Sequence, residues 1–387
     1  MGNWVRTLAH DGQLRWIGPE KGALHLAVAG IVNAFWDLWG KMENKPVWKL
    51  LVDMTPQQLV SLVDFRYMED CITPSEAIEI LQKEAKFKEA REEFITQNGF
   101  PAYTTQVGWL GYPDEKIKNL SALFLKRGFT AFKMKVGSDL ADDKRRLKVL
   151  RDCIGWDHLV MVDANQKWSV PEAIQWMKEL ASFKLHWIEE PTSPDDILGH
   201  LAISKALQSD GIGVATGEVC QNRVMFKQFL MSGAMQFCQI DSGRMAGVNE
   251  VIGVYLMAKK LNIPVCPHAG GVGLCEMVQH LQMFDYVALS GTTENRMIEY
   301  VDHLHEHFKN PPQMGPSWQE NKENEISNND RRLLCSYYPP KDPGYSTEMY
   351  ADSVQKFKYP TGSEWIALFS TGKYKDPSMA KKKMKDF

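Results

Sequence analysis

No stretch of this chain approaches the ~20 consecutive apolar residues that a membrane-spanning helix needs. The N-terminus carries no signal-peptide pattern, and Met1 to His10 is too short and too neutral for an Arg-rich mitochondrial presequence. Cysteine is sparse and unpatterned, seven residues with no Cys-x-x-Cys pair. That excludes a disulfide framework and points to reduced thiols in an intracellular compartment. Net charge is only −3, so nothing electrostatic calls for nucleic acid. The one basic run, Lys381-Lys382-Lys383-Met384-Lys385, reads as a solvated tail. What the chain does have is 387 residues, 44% of them hydrophobic. That is enough for a barrel of roughly 250 residues with a smaller partner.

From Lys135 onward, chemically useful residues recur at the ends of apolar runs. Lys135, Asp163, Glu189, Glu218, Asp241 and His268 are separated by 28, 26, 29, 23 and 27 residues. A strand, a loop and a returning helix need about that length. The pattern predicts eight strands, at Tyr103–Leu110, Thr130–Val136, Leu159–Asn165, His186–Glu190, Ile212–Glu218, Met235–Asp241, Ile263–His268 and Tyr286–Ser290. Helices alternate with them at Asp114–Arg127, Leu140–Cys153, Val170–Ser182, Asp195–Leu207, Asn222–Met231, Val248–Leu261 and Leu274–Phe284. Site residues drawn from nearly every strand favour a closed parallel (β/α) barrel, α/β in class, over an open sheet with one switch point. Before the barrel, Gly22–Lys41 reads as a buried helix, Leu59–Tyr67 as a strand and Pro74–Gln97 as an amphipathic helix. After it, the polar stretch Asn310–Arg332 reads as a disordered insertion or exposed loop.

Asp163, Glu189 and Glu218 would project from three neighbouring strands. Three carboxylates, with water and substrate oxygens completing six positions, suit Mg2+ better than zinc. Lys133 and Lys135 alternate on β-structure and so share a face. Two adjacent ammonium groups beside a cation would depress each other's pKa, leaving one to hold a carboxylate and the other to act as base near neutrality. His268 lies across the barrel, with Asp241 placed to accept an imidazole N–H and fix its tautomer. Glu299, just past the eighth expected strand, is a further candidate for contact with substrate. Base and acid on opposite faces of a bound carboxylate suggest α-proton abstraction followed by loss of a β-hydroxyl, a dehydration.

Other features read as structural. His303-x-His305-x-His307 reads as diverging surface residues, and Cys266-x-His268 followed by Cys275 matches no common zinc spacing. Gly270-Gly271-Val272-Gly273 reads as clearance beside His268 rather than a phosphate cradle. Trp36, Trp39 and Trp48 read as packing against the barrel.

Together these residues resemble the enolase superfamily, in its mandelate-racemase-like branch. The resemblance spans Val32–Leu51 and everything from Pro101 to Glu299, and is most specific to the L-fuconate dehydratase group. The segments Asp11–Gly22, Trp187–His200, Pro264–Glu276 and Glu299–Phe308 carry that specificity. It implies a (β/α)7β barrel (101–300), a partial α+β cap from residues 1–100, and a C-terminal segment (301–387) returning to the cap. Most of the family's strand-built lid would be absent, with its tail beginning near Asp11. It also implies conversion of L-fuconate to 2-dehydro-3-deoxy-L-fuconate and water with Mg2+ held by Asp163, Glu189 and Glu218. Lys135 would take the α-proton, Lys133 hold the substrate carboxylate, and His268 with Asp241 protonate the leaving hydroxyl. Glu299 and Asn165 would touch substrate. Another acid-sugar dehydratase or an epimerase on this scaffold, or a truncated non-catalytic regulator, are the competing readings. The family allows a homo-oligomer, a small acid-sugar partner and a mitochondrial location.

Overall fold

The computed structural model describes Gly2, residues 22–320 and residues 331–374. Met1, the family-like segment up to Lys21 and the lysine tail lie outside the described residues. Six strands, β1 (Phe100–Gly108), β2 (Ala131–Lys135), β3 (Leu159–Asp163), β4 (Trp187–Glu189), β5 (Gly213–Thr216) and β6 (Phe237–Cys238), pair in chain order and all in parallel. A seventh stave follows at Val265–His268. Val265 bridges Cys238, and His268 N–H donates to the Ile240 carbonyl at 3.1 Å. The eighth, β7 (Ile298–Tyr300), pairs in parallel with β1 and closes the ring. Helices Asp114–Lys126, Leu140–Ile154, Val170–Leu180, Ile197–Leu207, Arg223–Ser232, Val248–Lys260 and Leu274–Asp285 return the chain between staves. This is the α/β barrel that the spacing predicted. The helix positions agree to within a few residues because start signals were legible, such as the Ser169 capping box with Pro at the first turn.

The sheet separates two cores. Outward-facing strand residues join the large core against the helices. Inside the ring a separate cluster takes one residue from each of seven staves, Tyr103, Ala131, Met161, Trp187, Ala215, Phe237 and Cys266, with Met297 from just before the eighth. Because strand side chains alternate, this layer fixes what lies two residues further on, at the barrel mouth. Large and small residues interleave, with the Tyr103 and Trp187 rings meeting edge-on at 5.5 Å. Removing the fully buried Trp187 would empty the middle of this plug. Trp187→Ala is expected to cost about 3–5 kcal/mol, read as a lower urea midpoint.

The N-terminal helix Gly22–Met42 packs its Val28, Val32 and Trp36 face on the barrel. Its Trp36 indole donates to Asn249 Oδ1 at 2.9 Å, and the Trp48 indole donates to the Pro340 carbonyl at 2.8 Å. Trp36 and Trp39 lie 5.1 Å apart. The tryptophans are packing residues, as expected.

Four expectations fail. Tyr286–Ser290 is not the eighth strand but a π-helical turn continuing helix Leu274–Asp285. A short, fully apolar run carries no periodicity to separate buried helix from strand. Leu59–Tyr67 is not a strand. The helix is Pro56–Leu62, started by a Thr55/Gln58 capping box with Pro56 at its first turn, after which the chain leaves regular structure. Pro74–Gln97 divides into Pro74–Ala85 and Lys88–Asn98. Within Asn310–Arg332, Gln313–Glu320 is a strand, β8, paired antiparallel with β9 (Arg331–Tyr338). β9 in turn pairs with β1 through Phe100↔Tyr337. Its polar composition reads as loop because the hairpin is anchored only through β9 to β1, which is remote in sequence. Residues 321–330, the rest of the expected insertion, lie outside the described residues.

Candidate active site

Two residues beyond the interior layer, the staves present Thr105, Lys133, Asp163, Glu189, Gln239, His268 and Glu299, and Lys135 and Asp241 lie one further step out. Glu218 arrives differently. After β5 the backbone turns at Gly217, with φ 138°, where a Cβ would meet the Gln239 carbonyl at 2.6 Å. Only glycine tolerates that turn and that approach, and the turn is what brings Glu218 into the mouth. Glu299 lies within β7 rather than past the last strand, because that strand is twelve residues later than expected (Tyr286 against Ile298).

Asp163, Glu189 and Glu218 each offer an oxygen, all within 4.8 Å of one another. Among the described residues no other trio of His, Cys, Asp or Glu converges this way. The fully buried Lys133 ammonium lies 2.5 Å from Glu189 Oε1 and 2.9 Å from Glu299 Oε1. Lys135 pairs with Asp163 Oδ2. Opposite them, His268 Nδ1 lies 2.8 Å from Asp241 Oδ2, while its Nε2 is 3.4 Å from Glu218 Oε2 and 3.9 Å from Glu299 Oε2. Asp241 Oδ1 accepts from the Gly243 and Arg244 N–H groups at 2.7 and 2.9 Å. Lys133, Lys135, Glu218, Asp241, His268 and Glu299 all line one cavity of about 640 Å³. The rest of its wall mixes apolar Leu26, Trp109, Leu274 and Val301 with Thr105, Arg244 and the backbone of Gly243, Gly270 and Gly271.

Burial, then the neighbouring acids, holds Glu189 well above the usual carboxylate range although Lys133 opposes the shift. Burial and the Glu218 charge raise Glu190 likewise. Glu299 is driven down instead: burial opposes it, but the Lys133 and His268 charges outweigh that. For His268, burial disfavours the imidazolium, yet the Asp241 hydrogen bond and the Glu299 and Glu218 charges push it up to about 10. The expected mutual depression of the two lysines is not what the site shows. Burial does lower Lys135, but the Asp163 carboxylate dominates its neighbourhood, and its pKa stands above the ordinary value. Acids outnumber ammonium groups here, so each lysine is tied to a carboxylate. Lys133, fully enclosed by Glu189 and Glu299, is a buried counter-ion as well as a cavity-lining group.

A divalent cation fits this donor set. Crowded hard-oxygen donors, two of them fully buried, carry uncompensated like charge of the kind that raises Glu189. Because the raised carboxyl holds its proton to higher pH, a cation must displace that proton on binding. Cation affinity is therefore expected to rise between about pH 6 and about pH 8, by up to roughly ten-fold per pH unit for each proton displaced. Mn2+ titration followed by electron paramagnetic resonance reads this, and a flat profile would contradict it.

Three contributors escaped sequence reading. Gln239 donates to Glu189 Oε2 at 2.6 Å, and the Trp187 indole lies 3.4 Å from the same oxygen. The signal for Gln239 was its position two residues before Asp241, on the same inward face. Gln166 donates twice to Glu190, at 2.9 and 3.0 Å. Asn165, expected at the substrate, is exposed, with φ 44°, and does not line the cavity. Its N–H donates to Asp163 Oδ1 at 2.8 Å, so its role here is to orient a carboxylate. The three histidines at 303, 305 and 307 do diverge, but each is half-buried with its own partner: Gln106, Glu276 and Ser353 respectively. At Gly270 a Cβ would meet His268 Nε2 at 2.8 Å, in keeping with the clearance reading. All seven cysteines are free, and no described helix is long and apolar enough to cross a membrane.

The family model described as "Enolase C-terminal domain-like" matches residues 116–352. This chain belongs to the enolase superfamily. Human "Mitochondrial enolase superfamily member 1" is 59% identical over 365 residues, covering 94% of this chain and 78% of that protein. The crystal structure of the human protein matches at a TM-score of 0.88, with 58% identity across 95% of this chain and 79% of the other. A Hypocrea jecorina relative named L-galactonate dehydratase is 50% identical over 373 residues, covering 96% of this chain and 78% of its own. The enolase-superfamily barrel of this chain thus has near relatives along nearly its whole length.

Proposed function

We propose that this enolase-superfamily chain is a Mg2+-dependent acid-sugar dehydratase, with L-fuconate its preferred substrate. The observation that carries the reading is the placement of Lys135 and His268 in one cavity, on either side of the Asp163–Glu189–Glu218 cluster. Those three carboxylates would hold Mg2+, which supplies positive charge to offset the negative charge that develops on the substrate carboxylate when its α-proton leaves. Lys133 adds a second positive charge near that carboxylate and keeps Glu189 and Glu299 oriented. With Asp163 engaged by the cation, Lys135 would lose the carboxylate that keeps it an ammonium, and its neutral Nζ would then accept the α-proton. The imidazolium of His268, favoured by Asp241, donates a proton to the departing β-hydroxyl, so water leaves and an enol remains that tautomerises to the 2-keto product. Trp109, Leu26, Leu274 and Val301 also line that cavity.

L-Fuconate and L-galactonate differ only by a hydroxyl at C6. Apolar Leu26, Leu274 and Val301 lie in the cavity beside polar Thr105 and Arg244, and an apolar contact at C6 would favour the deoxy sugar by no more than about 100-fold. The same reading takes residues 101–300 as the catalytic barrel, with 1–100 and 301–387 forming its capping side, and extends the relatives' mitochondrial name to this chain. The test is an acid-sugar panel in D2O with Mg2+, following water loss and deuterium entry at C2 together. Loss of water from L-fuconate is the expected result. Exchange at C2 with no elimination from any acid sugar would make the chain an epimerase instead.

A further inference from the structure

The N-terminal helix Gly22–Met42 touches two loops of the site with polar side chains from its buried face. His25 and Asn33, eight residues apart and therefore on the same side of the helix, are both buried. The His25 ring bonds through Nδ1 to the Gln221 carbonyl at 2.7 Å, and since a carbonyl only accepts, that nitrogen carries the proton. Asn33 donates from Nδ2 to the Ser242 carbonyl at 3.0 Å and accepts the Val248 N–H at 3.2 Å. The contact is close enough that a Cβ on Gly247 would meet Val32 Cγ1 at 2.6 Å and Asn33 Oδ1 at 3.0 Å.

These partners belong to two different parts of the machinery. Gln221 directly follows the turn Gly217–Cys220, closed by the Cys220 N–H on the Gly217 carbonyl at 3.0 Å, and this turn carries Glu218. Glu218 is the one carboxylate of the trio that no strand holds. Ser242 and Val248 bracket the loop whose Gly243 and Arg244 N–H groups grip Asp241 Oδ1, and the other oxygen of Asp241 holds His268. We infer that His25 and Asn33 are separate positioning residues, His25 for the cation site through the Glu218 turn and Asn33 for the acid catalyst through the Asp241 loop. The inference rests on the dehydratase reading above. One helix sets two halves of the site through two separate residues, whose bonds span 196 to 215 residues of sequence.

The test uses the full chain, its His25→Ala, Asn33→Ala and Trp36→Phe variants, and two readouts: Mn2+ affinity, and the ratio of C2 deuterium exchange to water loss on L-fuconate. His25→Ala is expected to weaken Mn2+ binding by roughly 10-fold, the low end of the cost of losing a ligand's direct partner, because His25 acts on Glu218 through the backbone of its turn. His25→Gln, which keeps an N–H donor, is expected to recover most of it. Should the alanine variant fold too poorly to titrate, His25→Leu fills the space and still lacks the donor. Asn33→Ala is expected to leave Mn2+ affinity within about two-fold while raising the exchange-to-elimination ratio by roughly 10-fold. Trp36→Phe loses a helix anchor of similar burial whose indole binds Asn249, in the helix that follows the Asp241 loop, and is expected to move neither readout. Equal effects from all three variants, or none from His25→Ala, would reduce the helix to general support and overturn the inference. A wild-type chain that binds Mn2+ but processes no acid sugar would defeat the dehydratase reading instead, and the His25 comparison would still decide its own half.

Discussion

Lys135→Met is expected to abolish both C2 exchange and dehydration, with kcat falling by about 10⁴-fold. Methionine keeps most of the side-chain volume in a position that is one-quarter exposed at the cavity, so loss of packing does not explain the effect. Lys133 cannot substitute. It is fully buried, and Glu189 and Glu299 hold it at 2.5 and 2.9 Å. Its pKa is raised well above the ordinary value, because their charges outweigh the burial that works against the ammonium. Mn2+ affinity should be retained or rise, since Lys135 competes with a cation for Asp163 Oδ2. Appreciable exchange in this variant, above about 1% of wild type, would remove Lys135 from the role of base.

His268→Asn should divide the reaction in two. Elimination is expected to fall by roughly 10³-fold while C2 exchange stays within a few-fold of wild type, because the proposed function assigns proton abstraction to Lys135 on the opposite wall. Substrate recovered from D2O would then carry deuterium without having lost water. The acid also sets a pH limit. Its pKa is raised from 6.5 to about 10, so the proton-donating form persists through neutrality and elimination declines as pH rises through that value. The linked stability has the same sign. The ion pair contributes in full below about 6.5 and is lost as pH climbs toward 10. Parallel loss of exchange and elimination in His268→Asn would place both steps on one residue and refute the two-walled arrangement.

The barrel was legible because its periodicity is carried by residues that pack on both sides of a parallel sheet, bounded by capping signals at helix starts. Site residues could be picked out because each ends an apolar run, and the runs carry inward-facing core residues two positions before Lys133, Asp163 and Glu189 (Ala131, Met161 and Trp187) and four before Lys135 and Asp241. Gln239 follows Phe237 in the same way, and was missed only because an amide carries no charge to draw notice. Glu218 stands outside that rule and depended on Gly217. The eighth strand was misplaced because Tyr286–Ser290 is apolar on every side, whereas three-residue β7 has no pattern of its own and is recognised by its partner β1.

The sequence by itself determined the alternation of strand and helix, the identity of the acids and bases, and their order around a ring, since local periodicity and side-chain chemistry require no distant partner. Only the tertiary structure decided which charges neutralise one another, that Lys133 is buried between two carboxylates, and that His25 and Asn33 reach the loops bearing Glu218 and Asp241. Those outcomes depend on distance and desolvation between groups brought together by closure of the barrel, and no spacing along the chain encodes either quantity.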